Sequence, residues 1–330
     1  MANIVLRSPQ HKLTTTASTV NSAKMTLTID GTLRYTIIKE CDPSSAVVFE
    51  IAELARDYID INYTGTPTDP TITVVTVLTS HASTDGSGTA LNTVTYNDVG
   101  FDGYGTFMQG ANPNVTGSVP RWLIEENPNA TGVNDKYYVY IPTGYSGYVP
   151  LINTSNAVQY HKFSTTDTEV VGSAAGVKLN IERICGTKYG NGNKIRFVNK
   201  YGAIQELWFF LRKDNAISRK QETFQRNIIN AAGTYATEDH SRTAFNTTAN
   251  QTITLSSGYY PEWYNAVFEQ LLLSEQVWLS DDSNTNPTTD TVTPVTVKTS
   301  SFKEKTSVND RLIEYTFEFE LAADYINNIR

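Results

Sequence analysis

YGNGNKIRFVNKYGAIQELWFFLRK, residues 189–213, decides the fold class. A Gly/Asn turn leads into an alternating stretch, 194–199, a second turn follows at 200–202, and a second alternating stretch runs over 203–213. Period-2 patterning bounded by Gly and Asn predicts a β-hairpin. In its second strand Leu207, Phe209 and Leu211 share one face, and Glu206, Trp208 and Phe210 share the other. Such a strand is apolar on both sides. One face can meet the domain's own core; the other calls for a second sheet, a helix or a neighbouring subunit.

The rest of the chain agrees with a mainly β fold carrying a few short helices, β-sandwich-like or α+β. Only 39% of the 330 residues are hydrophobic and 18% charged; Thr, Asn, Ser, Gly and 19 Tyr fill the difference. Thr and Tyr suit half-exposed pleated surfaces and Asn and Gly suit turns, which predicts strands joined by long polar loops. Residues 1–23 are Thr/Ser-rich and read as an N-terminal arm. A first β-rich region, 24–175, opens on a hairpin turned by Asp30-Gly31, followed by a helical stripe over 49–61 and a strand over 72–78. A Gly/Tyr/Asn/Pro-rich stretch with one clear strand, 137–141, spans 99–148. A second β-rich region, 176–330, contains strands at 177–185 and in the hairpin. An irregular section over 230–250 precedes a short strand at 251–255. The best helix lies over 260–273, with Trp263, Val267, Phe268 and Leu271 on one stripe, and the final strand over 312–321.

Net charge is −8, and the first 160 residues hold 14 acidic and 8 basic side chains. This argues against a protein held to nucleic acid by phosphate contacts. One basic cluster, Arg212, Lys213, Arg219, Lys220 and Arg226, is interrupted by Asp214 and Glu222, and reads as a solvated or interfacial face. Cys41 and Cys185 have no CxxC or His-rich company and read as buried free thiols. No apolar run reaches membrane-spanning length and no signal peptide is evident, so a chain made in a cytoplasm is expected, with no membrane partner.

Catalytic chemistry finds no foothold. The four histidines share no metal-ligand spacing, and neither a G-x-S-x-G elbow nor a P-loop is present. YGNGNK joins strands instead of opening a helix, so it lacks the amide cluster of a phosphate site. The run 281–290 offers Asp and Asn oxygens but not the Gly and Glu of an EF-hand loop. Glu125 and Glu126, next in sequence, point to opposite sides of an extended chain and cannot flank one glycosidic bond. No cofactor and no metal are expected, and the chain reads as a non-enzyme. Tyr104, Phe107, Tyr137, Tyr138, Tyr140, Tyr145 and Tyr148, set among Gly and Asn, have the composition of an adaptable contact surface.

Several segments also resemble known proteins. NKYGAIQELWFF (199–210), ETFQRNIIN (222–230), NAVFEQLLLSEQVWL (265–279) and the stretch 294–330 resemble structural proteins of tailed bacteriophages, particularly those infecting Bacteroidetes. TIDGTLRYTIIKE (28–40) and VVFEIAELARDYI (47–59) resemble the opening of the same proteins. The resemblance implies a virion component of tail or baseplate type, assembled in the host cytoplasm into rings with copies of itself and other virion proteins. The residues expected at such an interface are Trp208 and Phe210 on the outward strand face, Tyr145 and Tyr148 in the loops, and the arm 1–23. The alternative is a glycan- or receptor-binding module, with a host-surface glycan as partner and the Tyr/Trp/Asn-rich loops of 100–150, Trp122 and Tyr145 among them, as its site.

Overall fold

The computed structural model describes all residues except 15–16, 62, 116–120, 172–177, 186–191, 282–290, 302, 307–311 and 326–330. The fold is mainly β, with several sheets and two short α-helices among the described residues. Five strands make the first sheet: β1 (Ala2–Val5), β3 (Ser22–Ile29), β4 (Thr32–Glu40), β6 (Ile72–His81) and β7 (Asn92–Phe101), in the order β1-β7-β6-β3-β4. Asp30 and Gly31 turn β3 into β4 with φ of 47° and 74°, the doubly left-handed geometry that Asp-Gly favours in a two-residue hairpin. Ala23, Met25, Leu27 and Ile29 alternate inward on β3 and are fully buried, meeting Phe49, Ile51, Ala52 and Ala55. The last two lie on α1 (Ala52–Arg56), much shorter than the stripe over 49–61 suggested, because the chain leaves the helix at Asp57.

Residues 1–14 are not a free arm. β1 runs parallel to β7, and β2 (His11–Thr14) pairs with β5 (Val47–Glu50). Ile4, Val5 and Leu6 are buried, the Gln10 amide donates to the carbonyls of Val5 and Pro113, and Lys12 reaches buried Asp98 at 2.5 Å. The polar composition of this stretch reflects buried polar groups that are paired, not a segment in solvent.

The second half is organised by a seven-stranded antiparallel sheet. Its strands are β14 (Asn193–Val198), β15 (Ile204–Phe209), β16 (Lys213–Gln225), β17 (Arg242–Ser256), β19 (Val277–Asp281), β20 (Thr291–Val297) and β22 (Thr316–Leu321). Their order is β15-β14-β19-β20-β22-β17-β16. β14 and β15 form the expected hairpin, with Val198 opposite Ile204 and Asn193 opposite Phe209; the turn at 189–191 lies outside the described residues. The helix expected over 260–273 is a 3-10 turn, Glu262–Tyr264, followed by α2 (Asn265–Leu272). Val267, Phe268 and Leu271 are buried on one sheet face, where Phe209 meets Phe268, Phe317 and Phe319 edge-on at 6.4, 6.1 and 5.9 Å between centroids. The final strand is broken at Glu314–Tyr315 into β21 (Leu312–Ile313), which pairs with β18 (Tyr260–Pro261), and β22.

Two small sheets cover the other face. One contains β8 (Arg121–Trp122), β10 (Gly147–Ile152) and β11 (Val158–Phe163); the other contains β9 (Tyr137–Pro142), β12 (Glu169–Val171) and β13 (Lys178–Ile184). Trp122, Tyr137, Val149 and Phe163 share one apolar core with Trp208, Phe209 and Phe317. The boundary expected near residue 175 therefore runs through a common core. Residues 121–171 pack with the second half because β15, apolar on both faces, needs them as cover. The five-stranded sheet keeps a core of its own.

Candidate assembly surface

Part of the stretch read as irregular, 242–250, is strand, and together with 213–225 it makes the most exposed regular structure among the described residues. β16 and β17 pair from Lys213 opposite Leu255 out to Gln225 opposite Arg242. At the base, Ile253 and Leu255 face the core and β17 pairs with β22 over Thr252–Ser256. Beyond Asn250 no third strand joins it among the described residues, and all 13 residues of β16 are exposed. From position 219 the two strands run on for roughly 20 Å at ~3.3 Å per residue before the loop 226–241 closes them. A bulge interrupts the pairing between Lys220 and Glu222, where Asn246 takes φ of 49°, a conformation Asn accepts more readily than other residues with a β-carbon. At the tip the Asn230 carboxamide oxygen accepts from the amides of Ala232 and Thr234 at 3.0 and 3.1 Å, which orders the turn.

This ribbon carries large apolar side chains into water. Ile217, Phe224, Ile229, Tyr235 and Phe245 are each about half exposed or more, and Phe224 and Phe245 meet at 5.8 Å on one ribbon face. A second exposed point is the 3-10 turn Phe107–Gln109, whose Phe107 and Met108 are 97% and 90% exposed. Phe107 belongs to the aromatic group expected to form a contact surface; the ribbon residues were not expected at an interface from sequence. The signal available was ETFQRNIIN itself, where Phe224, Ile228 and Ile229 stand among polar residues with no helical or strand period to bury them.

The five residues expected at the interface lie elsewhere. Trp122 is fully buried and meets His161 edge-on at 5.9 Å. Trp208 is buried against Tyr145, itself buried, at 4.9 Å, and Phe210 is buried against Tyr260 at 5.6 Å. Tyr148 is half-buried and donates its amide to Glu206. The second face of β15 is thus satisfied within the chain. Four of these aromatics are too buried to meet a partner.

That same face holds an unexpected ionic group. Lys194 and Arg196, which alternate with Ile195 and Phe197 on β14, are 0% and 1% exposed. Arg196 stands opposite Glu206 in the ladder, and donates to Glu206 Oε1 from Nε at 2.8 Å and from Nη2 at 2.6 Å. Its remaining nitrogen reaches the Tyr63 hydroxyl and the Gly65 carbonyl, and Lys194 Nζ lies 4.0 Å from Glu206. A second network joins the two halves: Arg7 forks onto Asp102 at 3.0 and 2.7 Å, and Arg56 bridges Asp102 and Glu275.

Among the described residues no group of three His, Cys, Asp or Glu side chains is placed to hold a metal ion. The residues 282–290, considered for calcium, lie outside the described part. Glu125 binds Lys200 while Glu126 binds the Tyr137 hydroxyl, so the two diverge. Cys185 is exposed and Cys41 half-buried, in place of two buried thiols. Among the described residues no helix is long and apolar enough to cross a membrane.

Comparison with known proteins adds no kinship. The chain matches no family model, no curated protein and no solved structure.

Proposed function

We propose that the chain is a structural protein of a bacteriophage virion, of tail or baseplate type, that works by assembling with copies of itself and with other virion proteins. The observation that carries the assembly reading is the β16–β17 ribbon. A two-stranded ribbon with both faces in water is marginal on its own, and its Phe224, Phe245, Ile229 and Tyr235 keep about half or more of their surface exposed in one chain. A partner that covers them supplies the missing burial. The virion setting rests on the resemblance of 199–210, 222–230, 265–279 and 294–330 to phage structural proteins. The glycan-binding alternative loses Trp122 and Tyr145 from its loop site, because both are buried.

Two measurements test this. Peptide mass spectrometry of purified particles should find the chain in stoichiometric amounts, and negative-stain images of the purified chain should show discrete oligomers. A chain absent from particles and monomeric at high concentration overturns the proposal.

A further inference from the structure

Resting on the assembly reading, we infer that the ribbon of one copy docks on the acidic α1 segment of a second copy, head to tail. The inference starts from how charge is divided along the chain. The ribbon beyond position 217 carries Arg219, Lys220, Arg226 and Arg242 on its arms or at their junction with the tip, against Glu222 on an arm and Glu238 and Asp239 in the tip loop. Residues 40–91 carry the opposite: eight acids against one base, Arg56. Arg56 is already engaged by Asp102 and Glu275. Glu53, Asp57 and Asp60, on α1 and just after it, are exposed. Over the whole chain, residues 213–256 hold five basic and four acidic side chains, leaving 21 basic and 30 acidic elsewhere. Opposite potentials of this kind steer and align a pair of surfaces.

The two surfaces sit at opposite ends of the seven-stranded sheet. Tyr63 and Gly65, which follow α1, contact Arg196 on β14, next to one edge; the ribbon is the other edge. Five strand spacings separate β14 from β16, about 24 Å at ~4.8 Å each. The ribbon also projects beyond the sheet. Its complement is therefore supplied by another copy, and a contact between two different patches is heterologous, closing into a ring where the rotation permits. The size is adequate. A ribbon about 20 Å long and ~10 Å wide, counted on both faces and with the 16-residue loop 226–241 at its tip, approaches the ~800 Å² per partner of a stable interface.

The test uses charge reversal. A ribbon variant (R219E/K220E/R226E/R242E) and a patch variant (E53K/D57K/D60K) should each associate at least about 100-fold more weakly than the native chain. Mixed one to one, or combined in a single chain, they should recover the native assembly. Because a reversed chain could also lose its fold, the native protein is examined in parallel with a zero-length carbodiimide cross-linker. Lys220 should join Glu53, Asp57 or Asp60 of another copy, detected as intermolecular by mixing isotopically light and heavy chains. Native assembly in either single variant, or no recovery on mixing with no such cross-link, overturns the docking while leaving the assembly function standing. A native chain that is monomeric and absent from particles overturns both.

Discussion

Replacing Glu206 by Gln keeps the side chain's shape and removes a buried carboxylate that both Lys194 and Arg196 approach. The three side chains are 7%, 0% and 1% exposed, so water does little to screen what is left behind. At an effective dielectric of 20, unit charges 4 Å apart attract by about 4 kcal/mol. Breaking a buried ion pair from one side costs about 3–5 kcal/mol in measured cases. Glu206→Gln should accordingly lower unfolding stability by about 3–5 kcal/mol, read as a fall in the urea midpoint at unchanged slope. Arg196→Met alone should also destabilise, but the double variant should not cost the sum. A coupling of about 1–3 kcal/mol is expected, because the two changes remove the same contact. A loss below about 1 kcal/mol for Glu206→Gln, the size typical of a surface pair, refutes the claim that this face of β15 is sealed by the chain itself.

Phe209→Ala, at the centre of the Phe268, Phe317 and Phe319 cluster, should cost about 3–5 kcal/mol by the same assay. Asp102→Ala removes the buried partner of Arg7, whose side chain is 8% exposed, leaving it the exposed Glu275 at 3.9 Å, and should cost about 3 kcal/mol, whereas Glu275→Ala, at 59% exposed, should cost under about 1 kcal/mol. Burial, with Glu269 adding to it, pushes the Tyr104 hydroxyl up to about 12, and burial likewise raises Tyr137, Tyr140, Tyr160 and Tyr264 above the ordinary 10.0. These groups hold their protons more tightly when folded. Their contribution is complete below pH 10 and is lost as pH climbs from 10 toward 12 and beyond. Tyrosinate absorbance should then rise together with loss of near-ultraviolet dichroism, not before it. Replacing 220–248 by a short turn removes almost wholly exposed side chains and should leave the urea midpoint of the body within about 1 kcal/mol.

The hairpin was legible because its information is local. Turn residues and period-2 patterning lie within 193–209, and α2 announced its buried stripe in the same way. The burial of Lys194 and Arg196 was not legible, because alternation sends charges outward and the groups that accept them, Glu206 and Tyr63, are assigned by strand pairing and by a distant loop. β1 was missed for a related reason: it pairs in parallel with β7, far along the chain, and leaves no local turn signal. The ribbon shows the converse. KDNAISRKQETFQ has no buried face over its length, so no periodicity marks it, although pairing with β17 makes it one of the longest strands. Interface residues sought among the most aromatic segments were found inside, since a core this rich in Tyr and Trp consumes them.

The particle mass of the full chain, set beside that of the chain with 220–248 replaced by a short turn, measures the ribbon's role most directly. The full chain should sediment as a discrete oligomer and the shortened one as a monomer of native fold. Equal oligomer masses for the two, with both folded, would contradict assembly through the ribbon.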